Sequence, residues 1–166
     1  MKYCLDTNAV IAICKSTSSL ERFTDYSRKN YEDSFFIPSY VADEFVEGDS
    51  GNPQYLELIS LPNVEVGKDH FFTIGISLIG GPDIIAGGSS GYQNVGYSEE
   101  DYKKSDSKKD YWTWRKRKIN DRLISEMAES RQCDAIVSEN LKDFSKIPSS
   151  YDIKIITMAE LMDGES

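Results

Sequence analysis

Apolar residues along this chain follow two rhythms. Short unbroken apolar runs, each bounded by turn chemistry, occupy 2–5, 34–37, 63–66, 134–137 and 152–156. Runs of that length predict strands buried on both faces. Between them the spacing changes. Leu20, Phe23 and Tyr26 recur three residues apart within 18–28, which predicts an amphipathic helix. Pro38 and Ser39 suit the first turn of a helix over 38–46. Shorter helices are predicted over 55–60 and 158–162, and the longest over about 107–131. Strands alternating with helices imply an α/β fold, a parallel sheet covered on both faces. In such sheets ligands bind beyond the carboxyl ends of the strands, where the strand order reverses.

One position breaks the first run in an informative way. In MKYCLDTNAVIA the apolar strand stops at Asp6, and Thr7 and Asn8 lead into a second apolar stretch. A helix cap is one explanation, since Asp, Thr and Asn all satisfy free N–H groups at a helix N-terminus. A metal ligand delivered by the end of a central strand is the other.

Length and composition narrow the class. At 166 residues a single domain over 1–166 is expected, large enough to bury a real core. Seven of the eleven glycines fall between Gly75 and Gly96, so about 67–116 reads as an insertion, Gly-rich and then charged. Without a Gly-Lys-Ser/Thr ending it is not a phosphate-binding loop. Tyr92, Tyr97 and Tyr102 within it suit either packing or a partner. Cys4, Cys14 and Cys133 are scattered, as expected for reduced, buried thiols in a cytoplasmic protein. A single histidine, His70, argues against His-based zinc or triad chemistry. Neither a signal peptide nor an apolar run long enough for a membrane span is expected. The net charge of −9 means that the average surface repels nucleic acid. A nucleic-acid site here needs a local basic patch or bridging metal ions.

Acids recur where such a site would form. Glu44 follows the second strand by about two helical turns, and Glu139, Asn140 and Asp143 follow the fourth. Asp121 sits in the long helix, at the edge of an apolar arc of Ile119, Leu123, Ile124 and Met127, with Asn120 inside it. A carboxylate at a core boundary is costly unless paired, hydrogen-bonded or metal-bound. Arg117, one turn earlier, offers the simple ion pair. Four acids with almost no histidine suit hard oxygen ligation of Mg2+ or Mn2+. Such ions hydrolyse phosphodiesters by activating water and stabilising the leaving oxygen. They also let an acidic protein hold a polyanion.

The ordered set LDTN, ADEF, IND and VSENLKDF resembles the PIN-domain ribonucleases, and is similar to the VapC-type toxins of prokaryotic toxin–antitoxin pairs. The resemblance covers roughly 1–66 and 117–162. It implies a three-layer α/β/α sandwich around a parallel sheet of about five strands. It implies an endoribonuclease dependent on Mg2+ or Mn2+, with Asp6, Glu44, Asp121 and Asp143 as catalytic, metal-holding acids. Water attack in line would leave a 5′-phosphate and a 3′-hydroxyl. Asn8 and Ser138 match supporting polar positions. Asn140 stands where many members carry Asp, with Asp143 three residues on, and Glu139 is a further candidate for the fourth position. A small cognate antitoxin and a homodimer are the partners implied beside RNA.

Outside those motifs, WTWRKRK is the strong basic cluster. Arg115, Arg117 and Lys118 with two tryptophans offer phosphate contacts and stacking near Asp121, or else solvated charge over packed rings. Asp43, Asp49, Asp101, Asp106 and Asp110 read as surface acids. Two competing functions remain. A phosphoryl-transfer hydrolase with Asp6 as nucleophile would want an acid two residues on, and position 8 is Asn. A catalytically decayed module that binds RNA or protein would explain Asn140.

Overall fold

The computed structural model describes residues 1–49, 51–67, 103–104, 110–144 and 153–164; within these, the side chains of 112–119, 122, 142 and 143 are not described. The chain divides into two compact units, Met1–Asp69 with Ile124–Ser166, and His70–Leu123. The first unit contains the whole sheet. Its strands are β1 (Lys2–Leu5), β2 (Ser34–Ile37), β3 (Val64–Val66), β4 (Ala135–Val137) and β5 (Lys154–Ile156). All pairs are parallel and the order is β3-β2-β1-β4-β5. Strand order therefore reverses between β1 and β4, beside the carboxyl end of β1.

The connecting helices are α1 (Thr7–Cys14), α2 (Thr17–Lys29), α3 (Ser39–Gly48), α4 (Pro53–Leu58), α5 (Tyr111–Ser130), α6 (Leu141–Phe144) and α7 (Met158–Asp163). The chain crosses the sheet one way from β1 to β3 and the other way from β4 to β5, and right-handed crossovers, the rule for parallel strands, put helices on opposite faces when the direction changes. Neighbouring residues of β2 show both layers. The Phe35 ring packs edge-on against Phe23 of α2, with centroids 4.9 Å apart. Phe36 faces the other way, and the Arg131 guanidinium just beyond α5 lies 5.1 Å from its centroid. Arg131 also reaches Glu65 of β3 at 2.9 Å. The fold is thus the α/β/α sandwich with a five-stranded parallel sheet that the sequence leads one to expect.

Burial follows the apolar runs. Cys4, Leu5, Phe36, Ile37, Ile136 and Val137 are fully enclosed, and all three cysteines are buried and free. Leu123, Ile124 and Met127 are buried on α5, as their arc predicts. Strands β3 and β4 each begin one residue later than the apolar runs suggest, because the leading polar residue serves a loop. Asn63 donates to the Asp33 carbonyl at 3.0 Å and accepts from Ser27 at 2.7 Å. Asp134 accepts the Lys2 amide at 2.6 Å. Most of the expected insertion, with His70, Tyr92, Tyr97 and Tyr102, lies outside the described residues. No described helix is long and apolar enough to cross a membrane.

Candidate functional site

β1 ends by handing its chain directly to α1, and Asp6 is the residue between them. The Asp6 amide continues the β1–β4 pairing by donating to the Val137 carbonyl at 3.1 Å. Its backbone is still extended (φ −80°, ψ 174°), which suits an N-cap. The carboxylate Oδ1 accepts the Ala9 amide at 2.7 Å and caps α1. Capping therefore falls to Asp6 itself and not to Thr7 or Asn8, which are already the first two residues of α1. Cap and ligand are not exclusive, because each carboxylate oxygen has two acceptor positions.

The second oxygen meets β4. Ser138, immediately past that strand and fully buried, donates to Asp6 Oδ2 at 2.5 Å. Its hydroxyl in turn accepts the Asn140 amide at 2.9 Å, which fixes its proton toward Asp6. The Ser138 amide donates to Ile156 of β5 at 2.8 Å, so three strand ends converge on this one carboxylate. Asp6 is only 3% exposed. Burial raises its pKa above the ordinary aspartate value. Hydrogen bonds from Ser138, the Ala9 amide and Asn8 oppose that rise without cancelling it. The site holds a carboxylate whose negative charge is only partly compensated by the protein.

Thr7, the first residue of α1, brings in the second expected acid. Its hydroxyl donates to Glu44 Oε2 at 2.7 Å, across from α3. Glu44 is exposed. Thr7 was not singled out from sequence as a positioning residue; its place next to Asp6 was the available signal. Glu139 has a different task. Its Oε1 accepts the Met158 amide at 3.0 Å, at the start of α7, which ties the loop after β4 to that helix.

The expected site residues thus divide. Asp6, Asn8, Ser138 and Asn140 gather in the first unit, with Glu44 joined through Thr7. Asp121 is half-buried on α5 within the second unit, and Asn120 beside it is half-buried too. Asp143 lies on α6, while its side chain and those of Arg115, Arg117 and Lys118 are outside the described residues. Among the described residues no three acidic, histidine or cysteine side chains lie close enough together to hold a metal ion. The donors that do gather are oxygens, and among the described residues no cation pairs with the buried Asp6 carboxylate. Both features fit a hard divalent ion in kind.

No protein-family model matches the chain, and no curated protein matches its sequence. Among solved structures, the chain is similar to the crystal structure of VapBC2 from Rickettsia felis bound to a DNA fragment from their promoter. Identity there is 20%, over 95% of this chain and 98% of that one, with a TM-score of 0.49.

Proposed function

We propose that the protein is an endoribonuclease dependent on Mg2+ or Mn2+, with Asp6, Glu44, Asp121 and Asp143 as the acids that hold the ion. The observation that carries this reading is Asp6. It is a buried carboxylate at the reversal point of a parallel sheet, oriented by the Ala9 amide and Ser138 and, among the described residues, paired with no cation. A divalent ion held there would supply the positive charge that RNA phosphates require and would acidify a water. Ser138 and the Ala9 amide fix the direction of the Asp6 lone pairs. Thr7 holds Glu44 in one rotamer, which lowers the entropy lost when that side chain engages an ion. Arg115, Arg117 and Lys118 are proposed as the phosphate contacts that draw RNA to an otherwise acidic chain.

In this reading the protein acts in the cytoplasm as the toxin of a pair, restrained by a small cognate antitoxin, and forms a homodimer. The competing reading is a binding module without catalysis. Two features favour it: Asn140 is neutral, and Glu139 is engaged by α7. Calorimetric titration with Mn2+ separates the two. The nuclease reading predicts binding that Asp6→Asn weakens by at least about tenfold. A binding module predicts no Mn2+ uptake by the folded wild-type protein.

A further inference from the structure

A cavity of about 400 Å3 lies against the Thr7–Glu44 pair. From α1 it is lined by Thr7, Ile11 and Cys14, which share one stripe of the helix. Across from them lie Phe45 and Gly48 of α3. At one end Thr7 is bonded to Glu44. At the other, the Asp49 carboxylate closing α3 acts on Cys14, whose thiol is pushed up to about 12 by burial and then by that charge. The two helices therefore run side by side in the same direction. From Thr7 to Cys14 the groove follows about 10 Å of helix, roughly the reach of one nucleotide from phosphate to base.

The far end is built for recognition. Asn52 donates its side-chain amide to Asp49 Oδ2 at 2.6 Å, and its own carbonyl accepts the Tyr55 amide at 3.0 Å. That pair of bonds fixes the Asn52 rotamer and, through it, the Asp49 carboxylate. Asp49 Oδ1 has no hydrogen-bond partner among the described residues. The walls are apolar and partly aromatic: Ile11 is half exposed, and Phe45 is stacked on Tyr55 with centroids 4.7 Å apart. Lys15 also borders the cavity.

We propose that this cavity is a nucleobase subsite and that Asp49 selects guanine in it, for the nucleotide whose phosphate lies at the Thr7–Glu44 end. A carboxylate only accepts hydrogen bonds. On its Watson–Crick edge guanine presents two adjacent donors, N1–H and the 2-amino group, which match the two oxygens. Adenine and cytosine set one amino group beside a ring-nitrogen acceptor, and uracil sets one N–H between two carbonyls, so each confronts the carboxylate with an acceptor. Lys15 offers a donor for guanine O6. The apolar walls suit the faces of a base splayed from its strand. The proposal takes its substrate class from the nuclease reading.

The test uses the full chain in EDTA, titrated with each of the four nucleosides, which carry no phosphate for Glu44 to repel, and followed by calorimetry and amide NMR shifts. Guanosine is expected to bind about tenfold or more tightly than the other three, with shifts at Cys14, Gly48 and Asp49. Asp49→Asn is expected to erase that preference. A side chain at Gly48 meets open space, so Gly48→Leu keeps the fold while filling the groove, and it is expected to abolish binding of all four. Equal affinities for the four nucleosides, or guanosine binding that survives both variants, would overturn the assignment. So would a groove that takes arginine amide and refuses nucleosides, which would mark it as a seat for a basic protein side chain. Because the readout needs neither metal nor cleavage, a failed nuclease assay leaves this result independent.

Discussion

Asp6 serves structure and chemistry with the same atoms. Its pKa is raised in the folded protein because desolvation outweighs its hydrogen bonds. In the metal-free protein the folded state therefore binds the Asp6 proton more tightly than the unfolded state. The stability gained from that proton is fully present below the unfolded value of about 3.9. It is lost as pH rises through the raised folded value. Asp6→Asn removes this cost and keeps an acceptor for the Ala9 amide, but it replaces the oxygen that accepts from Ser138. In EDTA the variant is therefore expected to lose urea resistance relative to wild type at pH 4, and the loss is expected to shrink as pH rises toward 7. A loss that stays constant with pH would show that the Asp6 charge carries no desolvation cost in the folded protein. Ser138→Ala removes the other partner of that bond. It leaves the Asp6 oxygen and the Asn140 amide without their shared partner, at a cost of about 1–3 kcal/mol measurable in the same urea titration. The sequence showed that a carboxylate stood at this strand end. It could not show the Ser138 bond, which joins residues 132 positions apart.

At the scale of elements, the alternation of apolar runs and helical spacing was legible because both faces of a parallel sheet must be covered. The five strands and the order of the main helices follow from it. What stayed hidden was short or polar. α6 has four residues, too few to show a period. α7 was expected over 158–162 and is present; only what holds it was hidden, a reciprocal capping box between Thr157 and Glu160 with Glu139 added from a distance. Two glycines make the contrast between local and tertiary demands measurable. A Cβ at Gly67 would stand 3.0 Å from the buried Phe36 ring and 3.3 Å from the Ser39 amide nitrogen. Gly67→Ala is therefore expected to cost about 1–3 kcal/mol, read as a drop in the urea midpoint. Gly48 closes α3 with open space around it, and Gly48→Ala is expected to add about 0.5–1 kcal/mol. The opposite signs would confirm that Gly67 answers to β2 and that Gly48 leaves room in the groove.

For the whole molecule, the governing fact is a net charge of −9 on a chain proposed to bind RNA. A divalent ion at Asp6 reconciles the two, and its binding must then appear in global stability. Saturating Mn2+ is expected to raise the melting temperature of wild type and leave Asp6→Asn unmoved, since a ligand stabilises only the state that binds it. The central claim itself is tested most directly by incubating purified wild type and Asp6→Asn with a pool of cellular RNA, with Mg2+, with Mn2+ and with EDTA. The account predicts cutting by wild type with a metal present, leaving 5′-phosphate ends, and none in EDTA or with the variant. Cutting that persists in EDTA or in Asp6→Asn, or folded wild type that cuts nothing with either metal, would contradict it.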